Sequence, residues 1–151
     1  MKSSGRQRNI SILSDDEMKL FQGMRELRFV DVSLNDVSDR GLIHLKGLHK
    51  LEWLEINGCN VTDDGLAILS AFPELTRLAL GETRITDAGM IHIARLSKLE
   101  QLVLEGTKVT DVGLTQLQHL PHLEYLDIEG TNVSQQKADE FDNRPGCMVV
   151  R

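Results

Sequence analysis

The chain repeats one phrase at a fixed interval. Leu27, Leu51, Leu75, Leu99 and Leu123 follow one another in 24-residue steps without an insertion. Ten residues after the first four of these leucines stand variants of the same words: VSDRGL at 37–42, VTDDGL at 61–66, ITDAGM at 85–90 and VTDVGL at 109–114. A strict period of this size excludes most topologies, because each copy is one small unit that buries its apolar side only by stacking on its neighbours. Written from the leucines, the repeat is L-x-x-[LV]-x-[LIV]-x-x-[NCT]-x-[VI]-[TS]-D-x-G-[LM]-x-x-[LI]-x-x-[LF]-x-x. The fifth copy, 123–146, keeps its first half and drifts after Ser134.

Each repeat holds two periodicities. The first half alternates apolar and variable positions, as a strand buried on one face must. Leu51, Leu54 and Ile56 point inward, with Leu27, Val30 and Val32 or Leu99, Leu102 and Leu104 as their counterparts. The second half changes to helical spacing, as in Leu66, Leu69 and Phe72 or Leu114, Leu117 and Leu120. Stacked copies therefore predict an α/β solenoid of five or more strands, with one parallel sheet, right-handed crossovers, and short helices starting near Ser14, Ser38, Thr62, Thr86 and Thr110.

In these motifs the chain resembles a leucine-rich repeat protein over roughly residues 14–150. The wording T-x-[VI]-T-D-x-G-L is similar to the 24-residue repeats common in bacterial proteins, notably those of planctomycetes, and to the cysteine-containing repeats of F-box adaptors. The resemblance implies a right-handed horseshoe fragment with the sheet on its concave face and helices on its convex face. It also implies partner binding, without saying which partner.

The recurring phrase has a local physical reading. Thr86 stands where the helical half begins, and its hydroxyl can cap an orphan helix N–H. Asp87 follows in the first turn, where the helix dipole favours a carboxylate by about 0.3–1 kcal/mol. Gly89 sits where a side chain would hold the helix away from the neighbouring repeat. Ser38, Asp39 and Gly41, Thr62, Asp63 and Gly65, and Thr110, Asp111 and Gly113 repeat these parts. The aspartate column does not read as a metal ladder, because neighbouring repeats hold such groups roughly 10 Å apart, whereas hard cations need oxygens converging at about 2.3–2.6 Å. At the ninth position Asn35, Cys59, Thr83, Thr107 and Thr131 are placed to bond the backbone of the turn.

A stack exposes its terminal core unless it is covered. Ser14 to Glu17 reads S-x-x-E, a capping box, and makes 10–26 a half-repeat: a helix without a strand, running through Met18 and Phe21. Pro73, Pro121 and Pro145 share one repeat position, which places 147–150 in phase as a final short strand. Gln135 and Lys137 replace the usual aspartate and glycine, so the last helix is expected to end early or to pack differently. Residues 1–9 have no repeat counterpart and are expected to be mobile, leaving 10–151 as one domain.

The positions the repeat leaves free face outward from the strands. They are Arg28, Phe29, Asp31, Ser33; Glu52, Trp53, Glu55, Asn57; Thr76, Arg77, Ala79, Gly81; Glu100, Gln101, Val103, Glu105; and Glu124, Tyr125, Asp127, Glu129. Eight of these are acidic and two basic, so the formal charge of −6 carried by the whole chain is concentrated on one face. The single Trp and single Tyr, Trp53 and Tyr125, share one repeat position with Phe29. Aromatic residues with a polar tip are common interface anchors. The expected partner-binding set is therefore Phe29, Asp31, Trp53, Glu55, Arg77, Gln101, Glu105, Tyr125 and Asp127. It is centred on Trp53, whose ring face would take a cation of a basic partner segment.

Other functions find little support. The acidic balance disfavours nucleic acid, and no apolar run approaches the roughly 18 residues of a membrane span. The first residues, MKSSGRQRNISIL, lack the apolar region of a secretory signal, which points to the cytoplasm. The sequons at Asn9, Asn60 and Asn132 then read as by-products of the repeated phrase. Cys59 and Cys147 form no disulfide framework, and Cys59 reads as a core substitute for threonine. His44 and His92 lie two repeats apart, His49 is on a turn, and His119 with His122 lacks a third ligand. No nucleophile, phosphate-loop or metalloprotease motif appears, so neither catalysis nor a cofactor or metal is expected. The favoured reading is a monomeric module for protein–protein interaction. An adaptor or sensor fragment of a larger signalling or ubiquitin-ligase-like protein comes second, and a metal-dependent hydrolase is a distant third.

Overall fold

The computed structural model describes residues 13–151, so the expectations for 1–9 and for the start of the half-repeat at 10–12 lie outside the described residues. Strands β1 (Phe29–Asp31), β2 (Trp53–Glu55), β3 (Arg77–Ala79), β4 (Gln101–Val103), β5 (Tyr125–Asp127) and β6 (Met148–Val150) form one parallel sheet in sequence order. Leu54 stands opposite Leu78, and Leu78 opposite Leu102, so the 24-residue period becomes register. Val30, Leu54, Leu78, Leu102 and Leu126 are buried from the sheet side, and Leu45, Leu69, Ile93, Leu117 and Phe141 from the other. Neither layer would be stable alone.

After each strand the chain must turn sharply into the second half of the repeat. It does so through a left-handed residue at the eighth position of every repeat: Leu34, Gly58, Glu82, Gly106 and Gly130, with φ between 54° and 68°. Glycine enters this region freely, while Leu34 and Glu82 enter it at a cost. The ninth position then binds the turn as expected. Thr83, Thr107 and Thr131 donate their hydroxyls to Leu80, Leu104 and Ile128 carbonyls at 2.5–2.6 Å. The buried Cys59 donates its Sγ hydrogen to the Val32 carbonyl of the preceding repeat at 3.2 Å.

The outer layer is shorter and tighter than helical spacing implied. Helices α1 (Asp39–Leu42), α2 (Met90–Ile93) and α3 (Asp111–Thr115) are one turn long, and 3-10 turns cover Glu17–Phe21, Ile43–Leu45, Asp63–Ala71 and Asp87–Gly89. A 3-10 helix rises about 2.0 Å per residue against 1.5 Å for an α-helix, so it crosses a 24-residue repeat with fewer residues.

The aspartate of the repeated phrase does more than face a helix dipole. Asp63 Oδ1 accepts the Thr86 backbone N–H at 2.9 Å and its Oδ2 accepts the Thr86 hydroxyl at 2.6 Å. Asp15 clasps Ser38 in this way, Asp39 clasps Thr62, Asp87 clasps Thr110 and Asp111 clasps Ser134. The Thr86 hydroxyl thus donates to one repeat while capping the Ala88 N–H of its own at 3.3 Å. At Asp15 burial opposes ionisation, but the bonds from Ser38 outweigh it and hold the carboxyl below its usual range. At Asp111 the Ser134 backbone and hydroxyl bonds lower it directly. The two carboxylate bonds of a clasp are charge-assisted and contribute about 1.5–3 kcal/mol each. Thr86→Ala should therefore cost more than the ~1 kcal/mol of a simple cap. In a double-mutant cycle by urea unfolding, Asp63→Ala and Thr86→Ala should couple by about 1 kcal/mol or more. Additive effects would show that the two residues act separately.

Both ends depart from the simple repeat. At the start, Glu17 Oε2 accepts the Ser14 N–H at 2.7 Å, which is half of a capping box. The other half is altered, since the Ser14 hydroxyl donates to the same carboxylate at 2.9 Å. At the other end α4 (Gln135–Asp142) is the longest α-helix among the described residues, which corrects the expectation that it ends early. It does pack differently. Lys137 occupies the usual glycine position, and Ser134 caps the Lys137 N–H itself rather than the residue before it. The final strand is also one residue out of the expected phase: Leu126 faces Val149, an offset of 23. This places Val149 against the core and leaves Met148 and Val150 outward, since a one-residue slip exchanges the faces of a strand.

Candidate interaction surface

The outward positions fall into two straight rows because every strand is in register. One row reads Phe29, Trp53, Arg77, Gln101, Tyr125 and Met148, and the next reads Asp31, Glu55, Ala79, Val103, Asp127 and Val150. Parallel pairing spaces neighbours along a row by about 4.8 Å.

The N-terminal end of this surface is already ordered by its own contacts. The Phe29 ring meets Trp53 edge-on, with centroids 4.9 Å apart and planes at 73°. The Arg77 guanidinium lies over the Trp53 ring, 4.6 Å from its centroid. This changes the expected recognition: a ring face expected to take a partner's cation is occupied by a cation of the chain itself. Arg28 Nη1 donates to Glu52 Oε1 at 2.6 Å, so the second basic residue of the face is paired as well.

The C-terminal end is acidic. Tyr125 is held among carboxylates: burial, then Asp127 and Glu105, push its hydroxyl above the ordinary tyrosine range. Asp127 Oδ1 accepts the Glu129 N–H at 3.0 Å, as Asp31 Oδ1 accepts that of Ser33 at 2.9 Å. Among the described residues, Asp31, Glu55, Glu100, Glu105, Glu124, Asp127 and Glu129 have no ion-pair partner. Elsewhere Lys50 meets Glu26 and Lys98 meets Glu74, each at 2.6 Å between equivalent positions of adjacent repeats. Carboxylates without an ion pair also occur elsewhere, as at Asp64 and Glu82, but this face gathers seven of them.

The register also separates residues the sequence reading grouped. Asp31 and Glu55 flank Trp53, but Asp127 lies three strands away, about 14 Å at the usual spacing, and belongs with Tyr125. The left-handed column was missed. Its signal was the glycines at 58, 106 and 130, which mark a backbone requirement that Leu34 and Glu82 also meet. Leu34 is 81% exposed and leans over Gly58, where a β-carbon would meet its Cδ2 at 2.7 Å.

The opposite side offers a different surface, a groove of about 530 Å³ between the first and second repeats, lined by Arg40, Ile43, Lys46, Ala67 and Ile68 among others. Among the described residues no three His, Cys, Asp or Glu side chains come together as a metal site, and no helix is long and apolar enough to cross a membrane. Cys59 is buried, and that burial raises its thiol above the usual range.

Comparison with known proteins agrees with this architecture. Family models described as leucine rich repeat match residues 24–46, 47–70 and 73–133. No curated protein matches the chain significantly. Among solved structures, an internalin of Listeria monocytogenes superimposes with a TM-score of 0.71 at 20% identity, over 84% of this chain and 35% of that one. Internalin C2 of the same organism gives 0.69 at 21%, over 87% and 54%, and a leucine-rich repeat protein of Leptospira interrogans gives 0.61 at 18%, over 85% and 32%. The chain thus spans between a third and about half of these structures.

Proposed function

The chain belongs to the leucine-rich repeat family, and from that premise we propose that it is a non-catalytic interaction module whose concave face binds a basic protein or peptide segment. The observation that supports this most directly is the set of seven carboxylates without ion pairs beside an ordered aromatic cluster. A soluble sheet needs surface charge, but not eight acidic residues against two basic ones among its outward positions. Electrostatics of this kind governs encounter more than final affinity, because each exposed pair contributes about 0–1 kcal/mol. Affinity then comes from the rigid aromatic anchors Trp53, Phe29 and Tyr125.

The test is capture of the partner with the tagged chain, its identification by mass spectrometry, and association kinetics. Raising ionic strength from low salt to about 0.5 M should slow association at least tenfold. Glu55→Lys with Asp127→Lys should do the same at constant salt. Association that ignores both would remove the acidic face from the account.

A further inference from the structure

The acidic face has a gap in its middle. Along the second row the carboxylates of Asp31 and Glu55 are followed by Ala79 and Val103 before Asp127 restores the charge. Beside that gap, in the first row, stand Arg77 and Gln101. The Arg77 guanidinium lies over the Trp53 ring, yet among the described residues no carboxylate lies within ion-pair distance of it and no acceptor takes its N–H groups. The Gln101 amide is likewise without a hydrogen-bond partner among the described residues. Two neighbouring side chains thus present unused donors beside the uncharged stretch of the second row. A planar guanidinium edge is suited to bidentate recognition of a carboxylate.

We propose that the partner segment carries one acidic residue between two basic ones, with its carboxylate on Arg77 and Gln101 and its two cations on Glu55 and Asp127. This rests on the concave face being the binding surface and specifies what binds there. Glu55 and Asp127 are separated by three strand spacings, about 14 Å, and the Arg77–Gln101 pair lies midway. In an extended peptide crossing the strands, side chains on one side recur about every 6.7 Å. Residues i, i+2 and i+4 then fall on one carboxylate, on the donor pair and on the other carboxylate. The pattern is basic-x-acidic-x-basic and reads the same in either chain direction. Trp53 and Tyr125 border the donor pair in the first row and limit sideways movement of the segment.

The experiment uses fluorescent synthetic peptides of about nine residues on the full chain. Their centres read Arg-Ser-Glu-Ser-Arg, Arg-Ser-Gln-Ser-Arg and Arg-Ser-Lys-Ser-Arg. Simple attraction to a negative face ranks the glutamate peptide last, since it has the least positive charge. The proposal ranks it first, by about tenfold over the glutamine peptide. In Arg77→Gln that preference should disappear, and in Arg77→Glu it should pass to the lysine peptide, with thermal unfolding confirming that both variants fold. Equal or tighter wild-type binding of the glutamine or lysine peptide, no binding of the glutamate peptide, or a preference that survives Arg77→Gln overturns the proposal. The wild-type ranking decides even if a variant does not fold. If the ranking fails while Glu55→Lys with Asp127→Lys still abolishes binding, the concave surface stands and only the pattern falls. Peptide binding that ignores the charge reversal counts against the surface itself.

Discussion

Gly89→Leu is expected to destabilise the protein by about 3 kcal/mol or more, although leucine is ordinarily the better residue in a helical turn by about 1 kcal/mol. A β-carbon at this position would stand 2.5 Å from Asp63 Oδ1 and 3.0 Å from Leu66 Cδ1. That oxygen is not free to move, because it accepts the Thr86 N–H in the clasp between repeats. Accommodating even one carbon must therefore separate the repeats or break a charge-assisted bond, with overpacking alone costing about 1–3 kcal/mol. The same crowding recurs at Gly41, Gly65 and Gly113 against Asp15, Asp39 and Asp87. Gly89→Ala is the sharper form of the test: helix propensity predicts a gain of about 1 kcal/mol, the clasp a loss. Urea unfolding that shows either variant as stable as the parent would mean that aspartate and glycine do not depend on each other.

Trp53→Ala is expected to weaken partner binding by about 2 kcal/mol, roughly thirtyfold. The ring is held edge-on by Phe29 and stacked by Arg77, so little freedom is lost when a partner settles on it. Removing it loses contact area and also the ring over which the Arg77 guanidinium lies. Lys98→Ala removes an exposed pair with Glu74 away from both rows and should change binding by less than about 0.5 kcal/mol. Equal effects of the two substitutions, measured by calorimetry with the captured partner, would take the anchor role from Trp53.

Much of the fold was legible because the period carries it. Once leucines recur every 24 residues, pairing Leu54 with Leu78 and Leu102 requires only that the copies stack alike. The clearance role of the glycines was legible for the same reason, but what they clear was not. Sequence spacing places Asp63 at a helix start; only stacking shows that its carboxylate reaches the next repeat's Thr86. The last strand was misread in register because its phase was taken from Pro145, whereas the α-helix before it, with Gln135 and Lys137 in place of aspartate and glycine, is longer than those of the other repeats and departs from the period. On the candidate surface, alternation identified which side chains face outward and with what charge. It did not show that Arg77 stacks on Trp53, since that depends on side-chain reach between strands and not on position in the repeat.

The most direct measurement of the central claim is the fluorescence of Trp53, the only tryptophan in the chain, during titration with the captured partner. The ring lies on the surface proposed to bind, with Arg77 over its face. The account predicts a saturable change in its emission whose midpoint matches the affinity found by calorimetry and moves to higher partner concentration as salt is raised. Saturating binding that leaves Trp53 emission unchanged, and is instead lost on substitution of Ile43 or Lys46 in the groove on the other side, would contradict it.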